Sequence, residues 1–71
     1  MNKIHKEIGE ELAKARKKSK LTQTQLANQL GVKQGYISRI ENGIDCVSLD
    51  KLVQLSTHLD HDITVKFKKR K

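Results

Sequence analysis

Proline and tryptophan are absent from this sequence of 71 residues, and cysteine, tyrosine and phenylalanine each occur once. With Cys46 alone, no intrachain disulfide can form, and the thiol is expected to be an inert loop residue. His5, His58 and His61 lack the spacing of a zinc site, so neither a metal nor any other cofactor is expected. No glycine-rich phosphate loop is present, and Asp45, Asp50, Asp60 and Asp62 do not make a calcium loop. Ser19, Ser38, Ser48 and Ser56 are accounted for as helix caps or surface positions, so the chain is not expected to be an enzyme. No apolar run approaches the roughly 20 residues of a membrane-spanning helix. No apolar stretch follows the basic start of the chain as it would in a secretory signal, so a cytoplasmic location is expected.

What is abundant is positive charge. Fifteen Lys and Arg against eight Asp and Glu give a formal net charge of +7, a balance that favours polyanionic partners on so small a domain. The cations cluster at Lys14, Arg16, Lys17, Lys18 and Lys20, and again at Lys66, Lys68, Lys69, Arg70 and Lys71. Either run by itself could be a solvated surface. Tyr36 and Phe67 are too few to form a stacking platform for unpaired bases, which favours a double-stranded over a single-stranded nucleic acid.

Apolar periodicity divides the chain into helices. Ile4, Ile8, Leu12 and Ala15 form one stripe of a first helix capped by Asn2, within which Gly9 is a weak point costing about 1 kcal/mol relative to alanine. Thr22 and Gln25 have the spacing of a capping box, so a second helix starts at Gln23 and buries Leu26, Ala27 and Leu30. Gly31 stands where a helix ends in a left-handed residue, and Val32-Lys33 leads to a third helix from Gln34 to about Glu41, stopped by Asn42-Gly43. At about 100° per residue, Tyr36, Ile37 and Ile40 share one side of this helix and Gln34, Gly35, Ser38 and Arg39 the other. One face packs while the other stays free to touch a ligand.

Two short helices around a tight glycine turn, the second with a polar outer face, are how a recognition helix is presented to a DNA major groove. The run Leu21-Thr-Gln-Thr-Gln-Leu-Ala-Asn-Gln-Leu-Gly-Val-Lys-Gln-Gly-Tyr-Ile-Ser-Arg-Ile-Glu-Asn-Gly43 closely resembles the helix-turn-helix of the phage Cro/repressor (XRE-like) family. The resemblance implies a sequence-specific transcriptional regulator of the nucleoid, a lambda-repressor-like bundle of about four helices, and base reading by Lys33, Gln34, Gly35, Ser38 and Arg39. Gln34 can pair bidentately with adenine and Arg39 with guanine. Gly35 departs from the polar side chain usual there; it either lets the backbone approach the groove or removes one reader. Gln23 matches a family position that contacts phosphate and can buttress Gln34. Arg16 and Glu41 match an arginine–glutamate pair with a structural role, which leaves Lys17 and Lys20 as the nearby candidates for DNA contact. The alternative is a protein-interaction or RNA-binding module on the same fold.

Beyond the motif, Ser48 caps a fourth helix with Leu49, Leu52, Val53, Leu55 and Leu59 mostly at core spacing. Residues 1–61 thus read as the helix-turn-helix domain. Residues 62–71 read as a dimerisation strand and basic tail, because Ile63-Thr64-Val65-Lys66-Phe67-Lys68 alternates apolar with polar residues. A lone strand leaves its backbone unpaired, so the expected partner is the same strand of a second subunit, with Ile63, Val65 and Phe67 in the interface. A homodimer would recognise a palindromic double-stranded operator. This ending resembles the HipB- or HigA-like antitoxin branch, which implies a cognate toxin as a further partner; the alternative within the class is a repressor without one.

Overall fold

The structure, a computed structural model describing residues 3–63, consists of α1 (Lys3–Lys18), α2 (Gln23–Leu30), α3 (Gln34–Glu41) and α4 (Leu49–His58). Side-chain caps set where helices begin. At α2, the Gln25 backbone N–H donates to Thr22 Oγ1 at 3.0 Å and the Thr22 N–H donates to Gln25 Oε1 at 2.8 Å, the reciprocal box expected from the sequence. At α4, the Lys51 N–H donates to Ser48 Oγ at 3.1 Å. The cap expected from Asn2 lies outside the described residues, as does all of the strand expected at 63–68 except Ile63, which belongs to no regular element. No strand occurs among the described residues, and none of their helices is long and apolar enough to cross a membrane.

All four helices end in the same way. Each is followed by one residue in the left-handed region, at Lys20 (φ 60°), Gly31 (φ 70°), Gly43 (φ 73°) and Asp60 (φ 57°). The next amide then reaches back five residues: Leu21 to Arg16 O, Val32 to Ala27 O, Ile44 to Arg39 O and His61 to Ser56 O. These are Schellman caps, which satisfy carbonyls that a helix end leaves open. Glycine fills two of the four positions, Gly31 as expected and Gly43 within the Asn42-Gly43 stop to α3. Lys20 and Asp60 adopt the conformation despite their Cβ atoms, a cost of about 1 kcal/mol each that tertiary packing must offset.

The core consists of Leu12, Leu26, Ala27, Ile37, Ile40, Leu55 and Leu59, with Ala15, Leu21, Leu30, Val32, Tyr36 and Val47 packed around it. α3 lies against both α1 and α2, and α4 packs on α2. The end of α4 is tied to the end of α1 by the Ser19 hydroxyl, which donates to Leu59 O at 3.1 Å. Burial departs from the expected spacing in α4: Leu55 and Leu59 are fully buried, whereas Leu49 and Val53 are 66% and 51% exposed. Four residues apart, those two share a face of the helix that the described chain leaves uncovered.

Gly9 has a different role from the one its helix propensity suggests. It is buried where α1 crosses the end of α3, and a Cβ added there would meet Ile40 O and lie 2.6 Å from Glu41 O. Both are backbone atoms and cannot swing away. Gly43 makes the same contact from the other side, since its own Cβ would lie 2.8 Å from Lys6 Cα. The two glycines let α1 and the end of α3 approach backbone to backbone.

The same two helices are clamped by an ion pair. Arg16 Nε donates to Glu41 Oε2 at 2.6 Å, Nη2 donates to Glu41 Oε1 at 3.1 Å, and Nη1 donates to Leu21 O at 2.7 Å. Their side chains are only 10% and 6% exposed, so Arg16 is a buried structural residue, as the resemblance implied.

Two predictions concern stability. Gly9→Ala gains helix propensity yet should destabilise the protein by about 2 kcal/mol, lowering Tm by roughly 10 °C in a domain of this size; a raised Tm would refute the close crossing. Arg16→Ala strands a buried carboxylate and should cost about 3–5 kcal/mol, whereas Lys17→Ala should stay within about 0.5 kcal/mol of the parent. Urea titrations of both variants would show equal midpoints if the clamp were unimportant.

Candidate nucleic-acid interface

The turn between α2 and α3 is three residues long. Gly31 reverses the chain, Val32 inserts into the edge of the core, and Lys33, in extended geometry (φ −82°, ψ 148°), opens α3. Ile37 and Ile40 anchor α3 inward, and Tyr36 packs against the core edge. What remains outside is the polar side: Lys33, Gln34 and Arg39 are exposed, and Gly35 and Ser38 half-buried.

Gln34 is held before any ligand arrives. Its Nε2 donates to Gln23 Oε1 at 2.6 Å, and Gln23 Nε2 donates in turn to Glu41 Oε1 at 2.9 Å. A continuous relay therefore runs from buried Arg16 through Glu41 and Gln23 to exposed Gln34. Each amide has one orientation in this relay, because Glu41 only accepts when ionised and so forces the Gln23 nitrogen towards it. Gln34 keeps its carbonyl oxygen and one N–H free, the acceptor–donor pair that matches the N6 and N7 edge of adenine. The buttressing of Gln34 by Gln23 implied by the resemblance is thus present as a hydrogen bond.

Arg39 has a partner that sequence reading did not identify. Its Nε donates to Asp45 Oδ2 at 2.7 Å, and the side chains remain 52% and 36% exposed. The only sequence signal is an acid two residues past the Gly43 turn, and the contact depends on how that turn folds back. At the end of α3, Asn42 Nδ2 donates to Ser38 O at 2.8 Å and lies 3.5 Å from Ser38 Oγ. Gly35 borders Arg39: a Cβ there would lie 3.4 Å from Arg39 Nη1.

Lys17, Lys20 and Lys33 are exposed. The ion pairs among the described residues engage other cations, namely Lys14, Arg16 and Arg39, so these three lysines keep their charge available to a polyanion. Lys20 occupies the left-handed cap of α1 and Lys17 the last turn of that helix, while Lys33 stands at the head of α3. The structure thus joins Gln23 to Gln34 directly and sets Gly35 beside Arg39; Lys17 and Lys20 belong to a separate element, the end of α1. No group of three or more potential metal ligands occurs among the described residues.

Two short helices joined by a glycine turn, with a buried inner face and a hydrogen-bonded polar outer face, form an arrangement suited to a DNA groove. Neither the curated proteins nor the solved structures yield a significant match to the chain. A family model described as helix-turn-helix does match, over residues 12–65, well over half of the sequence. That span begins at core residue Leu12, takes in Arg16 and the whole of the α2–α3 unit, and passes beyond α4. The chain belongs to the helix-turn-helix family of DNA-binding regulators of the XRE type.

Proposed function

We propose that this protein is a sequence-specific repressor that binds a palindromic double-stranded operator as a homodimer and acts on the nucleoid in the cytoplasm. The observation that carries the reading is the fixed orientation of Gln34 by Gln23 and Glu41, which readies an acceptor–donor pair on the outer face of α3. A side chain already ordered in the free protein loses less conformational entropy on binding. Lys33, Gln34 and Arg39 are the base readers, with Ser38 and the Gly35 backbone beside them, and Lys17, Lys20 and Gln23 hold the phosphates.

Assembly follows from the apolar surface left over. Leu49 and Val53 form a stripe on α4 that the described residues leave uncovered, and Ile63 borders the same shallow depression as Val53. A second copy covering this stripe would bury the segment that begins at Ile63 against the α4 helices and set the spacing of the two recognition helices. The basic residues Lys66 and Lys68 would then stay at the surface.

Selection from random duplex DNA should return an inverted repeat with half-sites about one helical turn apart, and binding should fall steeply with salt. Gln34→Ala should relax preference at one position and cost about 1–3 kcal/mol, while Lys17→Ala or Lys20→Ala should weaken every sequence alike. Equal binding to all duplexes at physiological salt would refute specific regulation. In sedimentation, deletion of residues 62–71 should give a monomer. Val53→Glu should do the same without unfolding the chain, since Val53 is exposed within one subunit. A Val53→Glu protein that stayed dimeric would place the interface elsewhere.

A further inference from the structure

We propose that Asp45 is a specificity-determining positioning residue that, together with the gap left by Gly35, aims Arg39 at a guanine edge. The proposal rests on the reading of Arg39 as a base contact. It comes from which atoms of the guanidinium are engaged. Asp45 Oδ2 accepts a hydrogen bond from Nε at 2.7 Å, leaving the terminal Nη1 and Nη2 groups, the fork that matches O6 and N7 of guanine in the plane of the base.

The carboxylate cannot easily follow Arg39 if the side chain swings, because its backbone is tied to the same residue. Gly43 turns the chain back over the end of α3, the Ile44 N–H donates to Arg39 O at 2.9 Å, and the Asp45 N–H approaches that oxygen at 3.4 Å. Main chain and side chain thus close a ring in which the Arg39 carbonyl and the Arg39 guanidinium are held by one loop.

Gly35 clears the other side. It lies four residues earlier on α3 and hence on the same face, and a Cβ there would already stand 3.4 Å from Nη1. A Cβ alone would be tolerated as ordinary contact, but a bulky side chain extending from it towards Arg39 would compete for the volume the guanidinium occupies. The glycine at a position where a polar reader is usual therefore makes room for a neighbouring reader.

Stability does not account for the pair. Both partners are more than a third exposed, and ion pairs of that kind contribute little to folding. A carboxylate beside a DNA surface also opposes phosphate binding in general, so retaining one there weakens indiscriminate affinity while it orders the arginine.

The test is duplex selection and titration with the full chain. On the wild-type site, each base pair of a half-site is replaced in turn, and the position whose guanine preference disappears in Arg39→Ala is identified. Asp45→Ala should reduce discrimination at that position about tenfold and leave the other positions unchanged, with equal or higher affinity for random duplex and an unchanged thermal midpoint. Asp45→Asn, which keeps an acceptor for Nε, should retain part of the discrimination. Gly35→Leu should lose it at the same position. Full guanine discrimination in Asp45→Ala would overturn the proposal while leaving Arg39 as a reader, and so would a proportional loss at every position. A preference that survives in Arg39→Ala would overturn the assignment of Arg39 itself, and the role of Asp45 with it.

Discussion

The contact between Arg16 and Glu41 organises the molecule. An arginine late in α1 and a glutamate closing α3 are 25 residues apart in sequence, and both are almost removed from water. Burying two charges carries a desolvation cost that only good geometry offsets. Here the guanidinium engages both carboxylate oxygens and a backbone carbonyl, and the carboxylate also accepts from Gln23, so no buried side-chain polar atom among the described residues lacks a partner. Replacing such a pair with apolar residues would preserve a core. It would not preserve the orientation of Gln23, and through it of Gln34. The ion pair therefore belongs to the outer surface as much as to the interior.

The contact also requires α1 and α3 to cross closely. Gly9 and Gly43 remove the side chains that would hold the two backbones apart, and Gly43 supplies the left-handed turn that sends the chain on to Asp45. One glycine thus serves the helix crossing, the end of α3 and the loop that holds Arg39. Ile37 and Ile40 bury the inner side of the same eight-residue helix. A helix this short is marginal by itself, and tertiary contacts at its end and along its inner face hold it in place. Its outer face is then left free for recognition.

Much of this architecture is legible in the sequence where the determinants are local. Thr22 and Gln25, Gly31, Ser48 and Asn42-Gly43 mark the boundaries of α2, α3 and α4 because capping is chemistry between a side chain and the backbone a few residues away. The inner face of α3 follows from periodicity alone. Non-local facts are less accessible. Gly9 reads as a helix defect until the carbonyls of α3 are placed against it. Periodicity assigns Leu49 and Val53 to a face of α4 but cannot say what covers that face. Lys20 and Asp60 take left-handed conformations that their residue types do not announce. At the interface, Gln23 beside Gln34 was expected from the family resemblance, whereas the hold of Asp45 on Arg39 depends on the path of a loop, and an acid two residues past the Gly43 turn does not by itself reveal it.

On the proposed function, the buried clamp orders the outer face of α3 before DNA arrives. Side-chain amide relaxation of the free protein measures this directly, with Gln34 and Gln23 compared against the exposed Gln54. The relay predicts order parameters for Gln34 and Gln23 well above the value of about 0.6 below which a group counts as flexible, and a low value for Gln54. It further predicts that Gln34 alone falls to the Gln54 level in Gln23→Ala. A Gln34 amide as mobile as Gln54 in the wild-type protein would contradict this, because the clamp would then stabilise the fold without positioning the residue proposed to read bases.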